Sequence, residues 1–134
     1  EVISRFEKRG LKLVAMKMVR LTDEVLDVHY AHLKDKPFFQ WLKDGMMAAP
    51  VILCCWEGHC AVQVVRDMAG ATRASKAVPG TIRGDYSTSA QENIVHTSDS
   101  PENAAIELER FFVESDYCFY DSPLDPFKYA PDEI

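Results

Sequence analysis

Apolar residues recur along the chain in two periods, and the places where one gives way to the other mark out its elements. Val2, Ile3 and Phe6 fall at helical spacing, and Gly10 stands where a left-handed glycine would end a helix. From residue 11 to 19, Leu11, Leu13 and Ala15 share one face and Val14, Met16 and Met18 the other, which predicts a strand covered on both sides. Thr22 then has the chemistry of an N-cap, with Asp23 and Glu24 in the first turn and Val25, Leu26 and His29 carrying a helix toward His32. Lys34-Asp-Lys36 breaks that pattern, and Pro37 opens a second short helix holding Phe38, Phe39, Trp41 and Leu42. Two helices joined by a small turn form a hairpin of the kind that closes over a site.

Residues 49–56 are continuously apolar and bounded by Pro50 and Gly58, the pattern of a strand buried on both faces. Helical spacing returns at residues 60–68 with Val62, Val65 and Ala69, and Gly70 stops it. Between residues 71 and 90 periodicity is lost and Pro79, Gly80 and Gly84 punctuate the chain, so a long irregular loop is expected there; loops of that length are usually functional. Residues 93–96 form the end of another strand. Ser98 or Ser100 then caps a helix whose first residue is Pro101, with Glu102 in its first turn and Ala104, Leu108, Phe111 and Phe112 toward the core. Residues 116–120 alternate as a short final strand, and the tail with Pro123, Pro126 and Pro131 wraps a neighbour or the protein surface rather than adding a regular element. Helices and strands in this order make an α+β domain.

Composition bounds the picture. A chain of 134 residues, 47% apolar and 27% charged, fits one ordinary globular domain, residues 1–134. Its net charge of −6 argues against a nonspecific nucleic-acid or anionic-membrane binder, both of which depend on a cationic footprint. Yet Arg66, Arg73, Lys76 and Arg83 against Asp67 leave +3 within one short stretch, an island suited to a small polyanion. Cys54, Cys55, Cys60 and Cys118 show no repeated CxxC spacing, and no apolar run is long enough to span a membrane; a reducing, cytoplasmic setting is expected. Adjacent cysteines on a strand point to opposite faces, so buried thiols account for Cys54 and Cys55 better than a zinc site with His59 and Cys60.

The chemistry concentrates in Gly80-Thr-Ile-Arg-Gly-Asp85 and Asn93-Ile-Val-His-Thr-Ser-Asp-Ser100. A basic, glycine-flanked loop leads into an apolar segment ending on His96, followed at once by helix-capping residues. This places an imidazole in front of anion-binding groups, as a nucleophile toward phosphorus requires. Arg66 sits at the edge of an apolar stripe, where a phosphate clamp and a solvated side chain are equally compatible with the spacing. Glu107 lies off the stripe of its helix in the second turn, where it either orients one ring nitrogen of His96 or is simply solvated. For Phe38 and Phe39, core packing is the commoner role of such residues.

These two segments resemble the signature segments of the nucleoside diphosphate kinase family. The same pattern extends through His29-Tyr30, Lys36-Pro-Phe-Phe39, Trp56-Glu-Gly58 and Arg66-Asp-Met-Ala-Gly-Ala-Thr72. The resemblance implies a ferredoxin-like antiparallel sheet covered by helices, and ping-pong transfer of the terminal phosphate of a nucleoside triphosphate to a nucleoside diphosphate through a phosphohistidine at His96. It implies that Phe38 stacks on the base, Tyr30 lies near the phosphates, Arg66, Thr72 and Arg83 hold phosphate oxygens and Asn93 binds a ribose hydroxyl. Glu107 would orient His96, with Ser98 in support, and Mg2+ would arrive on the nucleotide phosphates. The family resemblance further implies a homo-oligomer, a hexamer ahead of a tetramer or dimer.

Three departures qualify the match. The family's first strand and its Lys-Pro-Asp segment have no counterpart in the residues given, so the domain is expected to be N-terminally incomplete. Thr97 stands where the family usually has glycine, which raises the expectation of slow turnover, and the tail after Asp121 is unlike the commonest family ending. A catalytically impaired nucleotide-binding or regulatory module of the same fold is therefore the alternative reading, with a nucleic-acid binder behind it.

Overall fold

Several helix boundaries in the computed structural model, which describes residues 1–133, trace to a local device in the sequence. Helix α1 (Val2–Arg9) ends at Gly10, whose φ of 106° only glycine adopts readily. Strand β1 (Lys12–Val19) follows, then α2 (Asp23–His29), N-capped by Thr22, whose Oγ1 accepts the Val25 N–H. Helix α3 (Phe39–Met47) starts later than Pro37 suggests, because Pro37 and Phe38 belong to the preceding turn. Strand β2 (Val51–Glu57) and helix α4 (Ala61–Ala69) come next. After them come α5 (Ile82–Tyr86), α6 (Pro101–Phe111) and the one-turn α7 (Asp125–Lys128). Strands β1 and β2 pair antiparallel, and the architecture is α+β. No helix among the described residues is long and apolar enough to cross a membrane.

Contacts divide the chain into two units, Lys17–Leu53 and the remainder. The larger unit is built on Phe6, Leu11 and Ile82, against which Val2, Trp56, Val64, Val65, Met68 and Val95 pack. Phe6 and Trp56 meet with ring centroids 5.3 Å apart. Ile82 is fully buried, which contributes roughly 1.5–3 kcal/mol, and it is the anchor of α5.

Helix α5 corrects the expectation of an irregular loop over residues 71–90. Its five residues hold one large aliphatic side chain, too few to show a period, and its cap does the local work: Thr81 Oγ1 accepts the Gly84 N–H at 3.0 Å and donates to Val78 O at 2.7 Å. Asp85 Oδ1 accepts the Gly80 N–H at 2.7 Å, and Arg5 of α1 donates to Asp85 Oδ2 at 2.6 Å and to Gly80 O at 3.2 Å. The Gly80 N–H, and after it Arg5, hold the Asp85 carboxyl below its ordinary range. Gly84 is compact by necessity, since a Cβ there would lie 2.1 Å from Val78 O. Gly84→Ala is therefore expected to destabilise the protein by about 3 kcal/mol, read as a lower denaturant midpoint; an unchanged midpoint would show that this turn is not tightly packed.

Two further expectations are corrected. Residues 93–96 form no strand, because Ile94 has φ 75° and breaks the extended backbone. Residues 116–120 form no strand either: Cys118 N–H donates to Val14 O at 2.7 Å, but one such bond beside β1 is not a ladder. The tail lies along its own unit, with Lys12 Nζ donating to Tyr120 O, and it does add one regular element, α7. Strand β1 was expected to be covered on both faces, but Met16 and Met18 are exposed.

In the smaller unit, Lys43 of α3 is 3% exposed and bonds Asp23 at 2.8 Å and Asp27 at 2.5 Å, both on α2. Asp23 first, then Asp27, holds the ammonium above its ordinary pKa. A raised pKa gives a contribution fully present below the unfolded value and lost as pH rises through the folded one. The α2–α3 hairpin of the parent is thus expected to loosen at strongly alkaline pH, seen in the near-UV signal of Trp41. Lys43→Met should lack that step, and an identical alkaline transition in both proteins would sink the assignment.

Candidate active site

Seven of the expected site residues fall within the larger unit, in two hydrogen-bonded groups that the main chain joins at Val95–His96. Helix α6 sets one end. Ser100 is its cap, with Oγ accepting the Asn103 N–H at 3.1 Å and Pro101 at the first helical position, which leaves Ser98 available for another role. Ser98 Oγ donates to Glu107 Oε2 at 2.5 Å. The other carboxylate oxygen, Oε1, lies 3.5 Å from His96 Nε2. Glu107, two turns into α6, is thereby held from one side by a hydroxyl and faces the imidazole with the other. The His96 side chain is 41% exposed, open to an incoming group, while Glu107 is more enclosed.

Arg83 of α5 sets the other end. Its guanidinium donates to Gly70 O at 2.8 Å, to Asn93 O at 3.3 Å and to Val95 O at 2.6 Å. Asn93 in turn donates from Nδ2 to Thr72 O at 2.9 Å and to Ala90 O at 3.3 Å. Gly70 closes α4 by donating to Arg66 O at 3.0 Å, so the helix turn bearing Arg66 is joined to the same network. Arg66 and Thr72 are exposed, and Arg83 is 7% exposed. Of the cationic island of the sequence, Arg83 and the helix turn bearing Arg66 are thus joined next to the segment that carries His96.

Tyr30 and Phe38 belong to the smaller unit. Tyr30 follows α2, is buried and meets His29 edge-on at 4.6 Å. Phe38 precedes α3 and is 36% exposed.

Thr97, a concern because the family usually has glycine there, does not occupy the left-handed region; among the described residues the only non-glycine positions with positive φ are Cys60 and Ile94. A branched side chain at position 97 is consequently free of that backbone strain. What the sequence reading missed is that Arg83 holds backbone carbonyls. Carbonyl acceptors leave no mark in a sequence, since every residue supplies one. Cys54 and Cys55 are free thiols on β2 whose pKa values burial pushes up.

The family model for nucleoside diphosphate kinase matches residues 1–117. A nucleoside diphosphate kinase of Parabacteroides distasonis is 60% identical over the whole of this chain and 88% of its own length. One from Rhodopirellula baltica is 47% identical over 99% of this chain and 88% of its own. Among solved structures, the halophilic nucleoside diphosphate kinase of Halobacterium salinarum, in complex with CDP, superposes with a TM-score of 0.93 at 37% identity, covering 96% of this chain and 86% of its own. A nucleoside diphosphate kinase family protein from Babesia bovis superposes with a TM-score of 0.90 at 38% identity, again over 96% of this chain and 86% of its own. With motif, fold and near full-length identity in agreement, the chain belongs to the nucleoside diphosphate kinase family and is a phosphotransferase acting between nucleotides.

Proposed function

We propose that the reaction runs through His96, and that the contact between its Nε2 and Glu107 Oε1 is the observation carrying that assignment. A carboxylate facing Nε2 favours the tautomer with the proton on that nitrogen and leaves the lone pair on Nδ1. Nδ1 then attacks the terminal phosphorus of a nucleoside triphosphate. An N–P bond forms as the bond from that phosphorus to the β-bridging oxygen breaks, and the diphosphate departs with the electron pair. A terminal oxygen of a second nucleoside diphosphate collects the phosphoryl group and restores the imidazole. Ser98 holds Glu107 in place, and Arg66, Thr72 and Arg83 face the phosphates, with Asn93 toward the ribose. The exposed ring of Phe38 suits a nucleobase, and stacking accepts any base because each has a π-face. The place of Tyr30 near the phosphates rests on the family motif.

Members of the family work with a divalent metal. Arginine, threonine and asparagine side chains suit phosphate oxygens rather than a cation, so we assign the metal, Mg2+, to the nucleotide phosphates, where it neutralises their charge. The complex of the Halobacterium salinarum relative with CDP supports a nucleotide as ligand here. We also infer that residues 1–134 act as one domain and that the chain forms a homo-oligomer, a hexamer before a tetramer or dimer. Exposed apolar side chains such as Met18, Phe119 and Phe127, the last 87% exposed, support that assembly. Free cysteine thiols suit a cytoplasmic setting. Initial rates with donor and acceptor varied together test the mechanism. Parallel double-reciprocal lines are expected, and intersecting lines would point to a ternary complex without a phosphohistidine.

A further inference from the structure

We propose that Arg83 is a positioning residue for the nucleophile, acting through the backbone that carries His96; this rests on the phosphohistidine reading above. The three carbonyls it holds belong to two separate stretches: Gly70 ends α4, while Asn93 and Val95 lie on the segment leading into His96. Asn93 and Val95 flank Ile94, a β-branched residue with φ 75° that is 54% exposed. Side-chain packing therefore does little to hold Ile94 in a backbone conformation that branched residues avoid. The guanidinium fork, reaching the carbonyl on either side of it, holds that conformation together with the Val95 N–H, which donates to Asn93 O at 2.9 Å.

The bond to Val95 O is the shortest of the three at 2.6 Å, and that carbonyl belongs to the peptide unit joining Val95 to His96. Its direction fixes where the His96 Cα stands relative to Glu107. Arg83 is itself firmly placed. Its neighbours in α5 are Ile82, fully buried, and Gly84, pressed against Val78 O, so the side chain projects from a backbone with little room to shift. A fork with donors in fixed directions reaches three acceptors at once, whereas a lysine ammonium supplies the same charge from a single point. Charge and geometry can thus be separated by one substitution.

The test is Arg83→Lys in the full chain, with phosphorylation of the protein by ATP followed in a single turnover at rising ATP concentration. The saturating rate is expected to fall about 10²-fold, by a larger factor than half-saturating ATP rises, the behaviour of a misplaced nucleophile. A rise in half-saturating ATP with the saturating rate retained would overturn the proposal and leave Arg83 as a phosphate ligand only. A second measurement uses His96→Gly with free imidazole as nucleophile, which does not depend on the backbone at position 96. Adding Arg83→Lys there should cost the imidazole-dependent rate less than it costs the His96 protein, because only the contribution of Arg83 toward phosphate is left to lose; a loss as large as in the His96 background would overturn the proposal. If circular dichroism shows Arg83→Lys unfolded, Arg83→Gln is carried through the same two measurements with the same criteria. Failure of the phosphohistidine reading is distinct from these results, because the unsubstituted chain would then take up no label.

Discussion

His96→Ala is expected to lower phosphotransfer by about 10⁴-fold or more and to remove every trace of acid-labile phosphate from the protein, while nucleotide binding persists. The size follows from the mechanism. A covalent route splits one difficult transfer into two, and without the imidazole neither half is available. Other site residues then hold a nucleotide with nothing to receive its phosphoryl group. Single-turnover labelling and equilibrium binding on the same preparation check both halves. Retained turnover in His96→Ala would refute the assignment outright, and loss of binding together with turnover would show that the substitution damaged the pocket.

Glu107→Ala is expected to have the second largest effect, a fall in the phosphorylation rate of about 10²-fold with nucleotide affinity little changed. Glu107 touches His96 with one oxygen and Ser98 with the other, so its removal releases the ring and its tautomer together. Ser98→Ala should fall between the parent and Glu107→Ala, since the carboxylate remains but loses one anchor. Stopped-flow or quench measurement of the labelling rate at saturating ATP distinguishes these proteins. A Glu107→Ala rate equal to the parent's would mean that the contact is structural.

The residues that converge in space were legible chiefly through the motifs of the family resemblance, with His96 also marked by its own chemistry after a basic, glycine-flanked loop. Spacing left Glu107 either solvated or beside His96, and it was the family resemblance that grouped it with His96 and Ser98, which it contacts; Thr72, Asn93 and Arg83 join one network. The cap of α6 was narrowed to two serines, and only geometry could assign Ser100 to the helix and Ser98 to Glu107. Strand-like alternation misled at residues 93–96 and 116–120, because alternation reports which faces are apolar and not whether a partner strand lies alongside. Helix α5 was hidden for the opposite reason: Ile82 anchors it and no period can be read from a single buried residue. The role of Arg83 was hidden because its partners are main-chain oxygens. The resemblance marked it as a phosphate ligand, and the structure adds three carbonyls, two of them on the segment leading into His96.

The account stands most directly on the covalent intermediate. The protein is mixed with Mg2+ and γ-labelled ATP, quenched in alkali and in acid, and the labelled residue is identified after digestion. The expected result is phosphate stable to alkali and labile to acid, located on His96 and removed by each of several unlabelled nucleoside diphosphates. Phosphate on a serine or threonine, or active transfer between nucleotides with no label on the protein at any time, would contradict it.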